Sequence, residues 1–360
     1  MYIQPTQKRY FYTLDGIRGV AAILVVLSHI EPFFGTIKFQ ENHLAVDIFF
    51  VLSGVVIANA YEARLYSTLS FKQFCLIRWA RLYPLYIFGS AVSVLAIFLG
   101  VSKMGNPLIF LIAIFMIPKI SGDTQVLYPL NGPAWSLFFE LIANVIYARF
   151  FRLLTVRLLI FIMFISAIYL AFFLLNFPGR TMDAGWNIKT IPVGLFRVGY
   201  SFFAGVLLYR LFSSKILDPT LVNDRYSTLA LGGVLALIAA FLLSKPTPVI
   251  QPYFELFAIV AVFPFLIYLG MRIQPKGPAE RICKFMGTIS YAIYAIHLPI
   301  ADLIKGFFRI KLGSSVESCA PQIGFIFLVL LIGFCWFIDI IYDFPVRKFL
   351  LKRSKMMYSP

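Results

Sequence analysis

The sequence predicts an all-α polytopic membrane protein, and three observations carry that expectation. Of its 360 residues, 60% are hydrophobic and only 13% are charged, whereas a soluble domain runs at about 25% charged. Too little charge remains to cover a water-facing surface, which excludes a soluble enzyme. The apolar residues gather into stretches of the length a bilayer crossing needs, about 20 residues as a helix. The 32 Lys and Arg lie in small clusters between those stretches, a distribution that orients helices in a membrane. The net charge of +16 therefore does not point to nucleic acid, which would need the cations gathered on one face.

Ten stretches are read as spans: Ile17–Phe34, Leu44–Tyr61, Tyr83–Val101, Ala134–Ala148, Leu158–Phe177, Pro192–Phe212, Ser227–Ser244, Tyr253–Gly270, Phe285–Ile304 and Gln322–Ile341. The fourth is short. An eleventh candidate, Pro107–Pro118, is shorter still and bracketed by prolines. Charge decides its case. If it does not cross and the N-terminus is cytoplasmic, more than twice as many Lys and Arg fall inside as outside. If it crosses, every later loop flips and the surplus disappears. The positive-inside rule selects the first solution: ten helices, both termini cytoplasmic, and a re-entrant or surface segment near 107–118. A single integral membrane domain over 1–360, without an appended soluble domain, is expected. The cysteines Cys75, Cys283, Cys319 and Cys335 follow no disulfide or metal spacing and read mostly as small apolar fillers.

Ionisable side chains within spans cost a few kcal/mol or more near the bilayer centre, so each is a functional candidate. They are Arg18, His29, Asp47, Glu140, Arg197, Glu255, His297, Asp302 and Asp339. Glu255, Asp302 and Asp339 lie near predicted helix ends and read as structural or solvated. Arg197 is expected to snorkel or to pair with a carboxylate. Arg18 and His29 are separated by eleven positions, which is about 20° past three full turns, so they share one face roughly 16 Å apart along the axis. Arg18 then stands at the cytoplasmic rim and His29 most of the way across. Burial favours the neutral imidazole, which can accept a proton as a general base must. The plainer reading, a histidine that only bonds a neighbouring helix, remains open.

Arg78 and Arg81, in Arg78-Trp79-Ala80-Arg81-Leu82-Tyr83-Pro84, stand at i and i+3 and point the same way. Guanidinium forks suit phosphate recognition. With Arg18 at the same rim they form a three-arginine mouth for a polyphosphate ligand arriving from the cytoplasm; simple topology anchoring is the alternative.

Arg18, ten intervening residues and His29 resemble the signature of membrane-bound acyltransferase family 3, whose members O-acylate sugars and other small acceptors. Four further stretches are similar to that family, in its order: Val46-Asp47-Ile48-Phe49-Phe50-Val51-Leu52-Ser53-Gly54, the Arg78/Arg81/Pro84 block, Pro133-Ala134-Trp135-Ser136-Leu137-Phe138-Phe139-Glu140, and Ser290-Tyr291-Ala292-Ile293-Tyr294-Ala295-Ile296-His297-Leu298-Pro299. The resemblance implies an acyl-CoA donor, commonly acetyl-CoA, engaged from the cytoplasm. It also implies an acceptor hydroxyl on a glycan, such as a surface polysaccharide or lipid-linked sugar, and a place in the bacterial inner membrane. On this reading Arg18, Arg78 and Arg81 hold the donor phosphates and His29 is the general base. Glu140, or as second choice Asp47, orients the other ring nitrogen of His29. His297, Tyr294 and Trp135 contribute to the acceptor site or tunnel. Direct transfer is preferred over an acyl-enzyme. No metal is expected, because His29, His43 and His297 lie apart without paired ligand spacing. A multi-pass transporter or flippase of a small molecule or lipid-linked sugar is the alternative from another class.

Overall fold

The computed structural model describes residues 10–39, 42–102, 109–120, 125–177, 179–212 and 224–353. Among them the fold is a helical bundle whose only extended pairing is an isolated bridge between Val126 and Asn187. Its helices are α1 (Tyr12–His29), α2 (Ala45–Ser67), α3 (Phe71–Phe98), α4 (Ile109–Ile114), α5 (Ala134–Phe150), α6 (Val156–Asn176), α7 (Ile191–Phe212), α8 (Asp224–Leu243), α9 (Gln251–Phe257), α10 (Phe263–Arg272), α11 (Gly277–Lys311), α12 (Gln322–Ile338) and α13 (Phe344–Arg353). A π-helical turn joins α9 to α10 at Ala258–Val262, and another joins α12 to α13 at Asp339–Asp343. Nine of the described helical segments are long and apolar enough to cross a membrane. The tenth expected span is α5, which has 17 residues. It nevertheless traverses the bundle, because its first turn meets Arg197 through the Trp135 ring while Tyr147, near its other end, bonds Glu62 at the far end of α2.

The protein is thus an all-α polytopic membrane protein. Its outer surface is apolar where lipid would lie: Phe161, Phe164, Ile168 and Phe172 of α6 and Phe325, Val329 and Leu330 of α12 are all exposed. Both chain ends, residues 1–9 and 354–360, lie outside the described residues, as does Pro107. From Ile109 the segment forms only the six-residue α4. The Tyr83 and Tyr86 hydroxyls of α3 donate to the Ile114 and Ala113 carbonyls at its end, at 2.8 and 2.9 Å. Tyr83 lies near the middle of α3, so the segment dips into the bundle and does not cross it.

The first helix differs from its predicted span. It begins at Tyr12 and ends at His29, followed by a 3-10 turn at Glu31–Phe34. Pro32 explains the stop, since it lacks an N–H and its ring would strike the carbonyl four residues back. At the other end, Thr13 donates to the Ile273 carbonyl at 2.5 Å, which satisfies a polar side chain within the bundle. His29 is therefore the last residue of its helix, exposed on a cavity wall rather than buried in hydrocarbon most of the way across a longer span.

Two packings set the positions of the polar side chains inside the bundle. Helices α2 and α7 touch backbone to backbone: a Cβ at Gly54 would collide with the Phe202 carbonyl, and one at Gly205 with the Val51 carbonyl. Helix α11 lies along α1 and contains Pro299. That proline has no N–H for the Ala295 carbonyl, and Asn131 Nδ2 supplies the missing donor at 2.9 Å. The loop before α5 is thereby fastened to the helix that carries His297.

Candidate active site

Three cavities run in series through the bundle. The first, of about 700 Å³, is a vestibule lined by Arg18, Arg78 and Arg81 together with Asp15, Arg347 and Lys348. The second is a narrow chamber of about 140 Å³, lined by the same three arginines and by Ser53, Glu140 and Tyr294. The third, of about 650 Å³, opens at the opposite end and is lined by Ser28, His29, His43, Trp135 and, again, Tyr294. The shared arginines connect the first cavity to the second, and Tyr294 borders both the second and the third.

The three predicted arginines thus converge on one cavity. Arg18 comes from α1, while Arg78 and Arg81 come from one face of α3, where Ser70 and Gln73 form a capping box at the helix start. Each has an acidic neighbour. Arg18 meets Asp15 at 3.4 Å, Arg78 meets Glu140 at 2.9 Å and Arg81 meets Asp343 at 3.4 Å. Arg347 lies 3.2 Å from Asp339 and 2.9 Å from Asp343, and the Arg81 guanidinium stands over the Tyr291 ring at 5.2 Å. The Tyr291 hydroxyl donates to the Leu82 carbonyl, tying α11 to α3 at this level. Mutual pairing holds the cations in place around these two cavities rather than along a lipid-facing rim.

The two carboxylates expected to orient His29 do not reach it. Glu140 accepts from Arg78 and, at 2.7 Å, from Ser53 Oγ. It sits one and a half turns down α5 from Trp135, at the level of the arginines. Asp47 accepts from Arg197 Nη2 at 2.6 Å and Nε at 3.2 Å, and from Ser201 Oγ at 3.2 Å. Arg197 also donates from Nη1 to the Met182 and Ala184 carbonyls and from Nη2 to the His43 carbonyl, each at 2.9 Å. Arg197 is fully buried and paired with a carboxylate, one of the two arrangements expected of it. Its five hydrogen-bonded oxygens make Asp47–Arg197 a structural clamp on the 179–190 loop.

The group that does reach His29 is His297. Its Nε2 lies 3.2 Å from His29 Nδ1, with ring centroids 5.0 Å apart. His29 Nδ1 also lies 2.8 Å from the Val25 carbonyl. Tyr294, one turn before His297, places its hydroxyl 2.6 Å from Ser136 Oγ, and Trp135 lies on the cavity wall with its ring 5.4 Å from the Arg197 guanidinium. The histidine-side cavity is roofed by the 179–190 loop. Glu255 holds that roof by accepting from the Met182 N–H, from Thr181 Oγ1 at 2.9 Å and from Gln251 Nε2 at 2.9 Å, and it meets His43 at 3.4 Å. Glu255 is structural, as expected, whereas His43 is built into the cavity wall.

Sequence reasoning missed Arg347 and Lys348, which look like ordinary basic anchors in a C-terminal run, and Ser53, whose only signal was its place beside Gly54. Among the described residues no cluster of His, Cys, Asp or Glu could hold a metal ion.

Comparison with known proteins bears on this arrangement. The chain is 38% identical over 183 residues to Protein 2 in picA locus of Rhizobium radiobacter, covering 44% of this chain and 92% of that protein. It is 23% identical over 370 residues to the peptidoglycan O-acetyltransferase OatA of Listeria monocytogenes, covering 95% of this chain and 56% of that relative's length. No solved structure is matched. A family model described as an acyltransferase domain, Acyl_transf_3, matches residues 11–342, which include Arg18, Arg78 and Arg81, the whole lining of the narrow chamber, and His29 and His297, and the chain belongs to that acyltransferase family.

Proposed function

We propose that this protein is a membrane O-acyltransferase that takes an acyl group from acyl-CoA at the arginine vestibule and passes it, at His29, to a hydroxyl entering the opposite cavity. The observation that carries the reading is the series of three adjoining cavities, each sharing lining residues with the next, with cations at one end and an imidazole at the other. The vestibule has the size and charge for the phosphates of a nucleotide-bearing thioester. The pantetheine arm is about as long as the roughly 16 Å between Arg18 and His29, and the chamber between them is narrow enough to hold a thin chain. The basic vestibule faces the cytoplasm on this reading, in agreement with the charge asymmetry of the loops.

Arg18, Arg78 and Arg81 bind and neutralise the donor phosphates, exchanging part of their contact with Asp15, Glu140 and Asp343 for phosphate oxygens. His29 removes the proton of the attacking hydroxyl. The acceptor is assigned to a glycan because the cavity wall carries both aromatic and hydrogen-bonding side chains, Trp135 and Trp186 with Asp183 and Gln251. Asn42 is buried at the same wall with both amide atoms unpaired among the described residues, which suits a polyhydroxylated ligand. The peptidoglycan O-acetyltransferase among the relatives supports acetyl as the transferred group.

The test is direct. Purified protein in detergent, given labelled acetyl-CoA and a panel of glycans, is expected to release free thiol and label one acceptor class, and His29→Ala is expected to abolish both. Wild-type transfer by that variant would refute the assignment of His29. Acceptor translocation without thiol release would refute acyl transfer.

A further inference from the structure

We propose that His297 is the positioning residue of this transfer, acting as a neutral hydrogen-bond acceptor where acyl-transfer sites commonly place a carboxylate. The inference rests on the reading of His29 as the base and adds what holds that base in its working tautomer. His297 is 0% exposed. Its Nδ1 faces two backbone carbonyls, Ile293 at 2.9 Å and Tyr294 at 3.0 Å. Both are pure acceptors, so Nδ1 carries the hydrogen, and in the neutral ring Nε2 is left as a lone pair.

That lone pair points at His29 Nδ1, 3.2 Å away. The other partner of His29 Nδ1 is the Val25 carbonyl at 2.8 Å, again an acceptor. Two independent acceptors therefore demand that His29 be protonated on Nδ1. Its Nε2 is then the unprotonated nitrogen, available to a hydroxyl in the histidine-side cavity. No carboxylate forms an ion pair with either ring among the described residues, and Asp302 spends its charge on Lys305 at 3.0 Å.

The proton path closes without any further reactant. His29 Nε2 takes the hydroxyl proton as the oxygen bonds the thioester carbonyl carbon. The carbon–sulfur bond then breaks, and the departing sulfur takes that proton from Nε2 to leave as a free thiol. Throughout, the Nδ1 hydrogen stays on His29 and is shared between His297 Nε2 and the Val25 carbonyl. His297 gains and loses nothing; it orients the ring and stabilises the transient imidazolium by accepting from it.

Four variants test this. His29→Ala is the reference: activity surviving there would sink the underlying mechanism itself. With His29→Ala inactive, His297→Leu is expected to lower kcat at least about tenfold, since a positioned base supplies roughly 10²–10⁴, while the donor KM stays within twofold because His297 is remote from the vestibule. His297→Gln, whose amide oxygen can stand near the position of Nε2, is expected to recover most of the rate. His297→Asn, too short to reach, is expected to fail. Wild-type kcat in His297→Leu, or equal losses in the leucine and glutamine variants, would overturn the positioning role while leaving His29 as the base. If His297→Leu does not elute as a folded species, the glutamine–asparagine pair decides alone: glutamine active with asparagine inactive supports the role, and parity between them refutes it.

Discussion

Replacing Arg197 with Met asks whether Asp47 serves the fold or the chemistry. Arg197 is 0% exposed and donates to Asp47 and to three backbone carbonyls, those of Met182, Ala184 and His43. Removing it leaves the Asp47 carboxylate, among the described residues, with Ser201 Oγ at 3.2 Å as its remaining side-chain hydrogen-bond donor. Breaking a buried pair in this way costs about 3–5 kcal/mol, and the three stranded carbonyls add to that. Asp47→Asn is milder, because the amide oxygen still accepts and the guanidinium keeps its carbonyls. The informative protein is the double variant, Arg197→Met with Asp47→Leu. It removes both charges, and exchanging a buried pair for apolar side chains is often neutral or favourable, so it is expected to regain a large part of the loss. Only the carbonyl contribution should remain. Thermal melting of detergent-solubilised protein, read by the monodisperse fraction after heating, gives the order wild type, then the double variant, then Arg197→Met as least stable. A double variant no more stable than Arg197→Met, or an Arg197→Met protein melting with wild type, would refute the clamp and reopen a direct role for Asp47.

Three other perturbations separate donor binding from packing. Arg78→Leu combined with Arg81→Leu is expected to raise the acetyl-CoA KM more than about tenfold, since hydrogen bonds to charged groups contribute roughly 1.5–3 kcal/mol each; an unchanged KM in initial-rate measurements would reduce both residues to structural anchors. Gly54→Val places a side chain against the Phe202 carbonyl and should cost at least about 1–3 kcal/mol of overpacking, visible as a loss of folded protein on size exclusion, whereas a full wild-type yield would mean that α2 and α7 separate easily. Asn131→Leu strands the Ala295 carbonyl at about 1–3 kcal/mol, and because that carbonyl lies half a turn before His297, kcat is expected to fall along with the melting temperature; a lower melting temperature with unchanged kcat would show that the Pro299 region does not position the histidine.

Much of this arrangement is legible from helical periodicity alone. An interval of eleven residues aligns Arg18 with His29, and an interval of three aligns Arg78 with Arg81, so the basic end and the imidazole end of the passage follow from local geometry. The short α5 and the non-crossing segment around α4 likewise follow from length and charge. What failed was depth. The apolar run through Phe34 set the end of the first span five residues too late, because hydropathy does not register that Pro32 stops the helix. Measured against the spans Ile17–Phe34 and Ala134–Ala148, His29 and Glu140 stand about equally far from the same face, and that agreement is an effect of the late end. With the helix ending at His29, Glu140 lies lower by more than a turn, level with Arg78, and the orienting pair inferred between them cannot form.

The same limit explains why the partner of His29 had to come from the structure. His297 is separated from it by 268 positions, and nothing in either segment specifies that α1 packs on α11. The contact depends on Met286 and Cys283 of α11 meeting Gly19 and Gly16 of α1, a fit visible only once the helices are in register. A charged orienting group at this depth would carry the desolvation cost of a carboxylate. A second imidazole, fixed by its own backbone carbonyls, supplies the acceptor without that cost. On this argument an aspartate or glutamate introduced at 297 should not restore the rate lost in His297→Leu, even though a carboxylate is the stronger acceptor in water. A fully active His297→Glu protein, measured by thiol release under the same conditions, would show that the site tolerates a charge and that neutrality is not what selected the histidine.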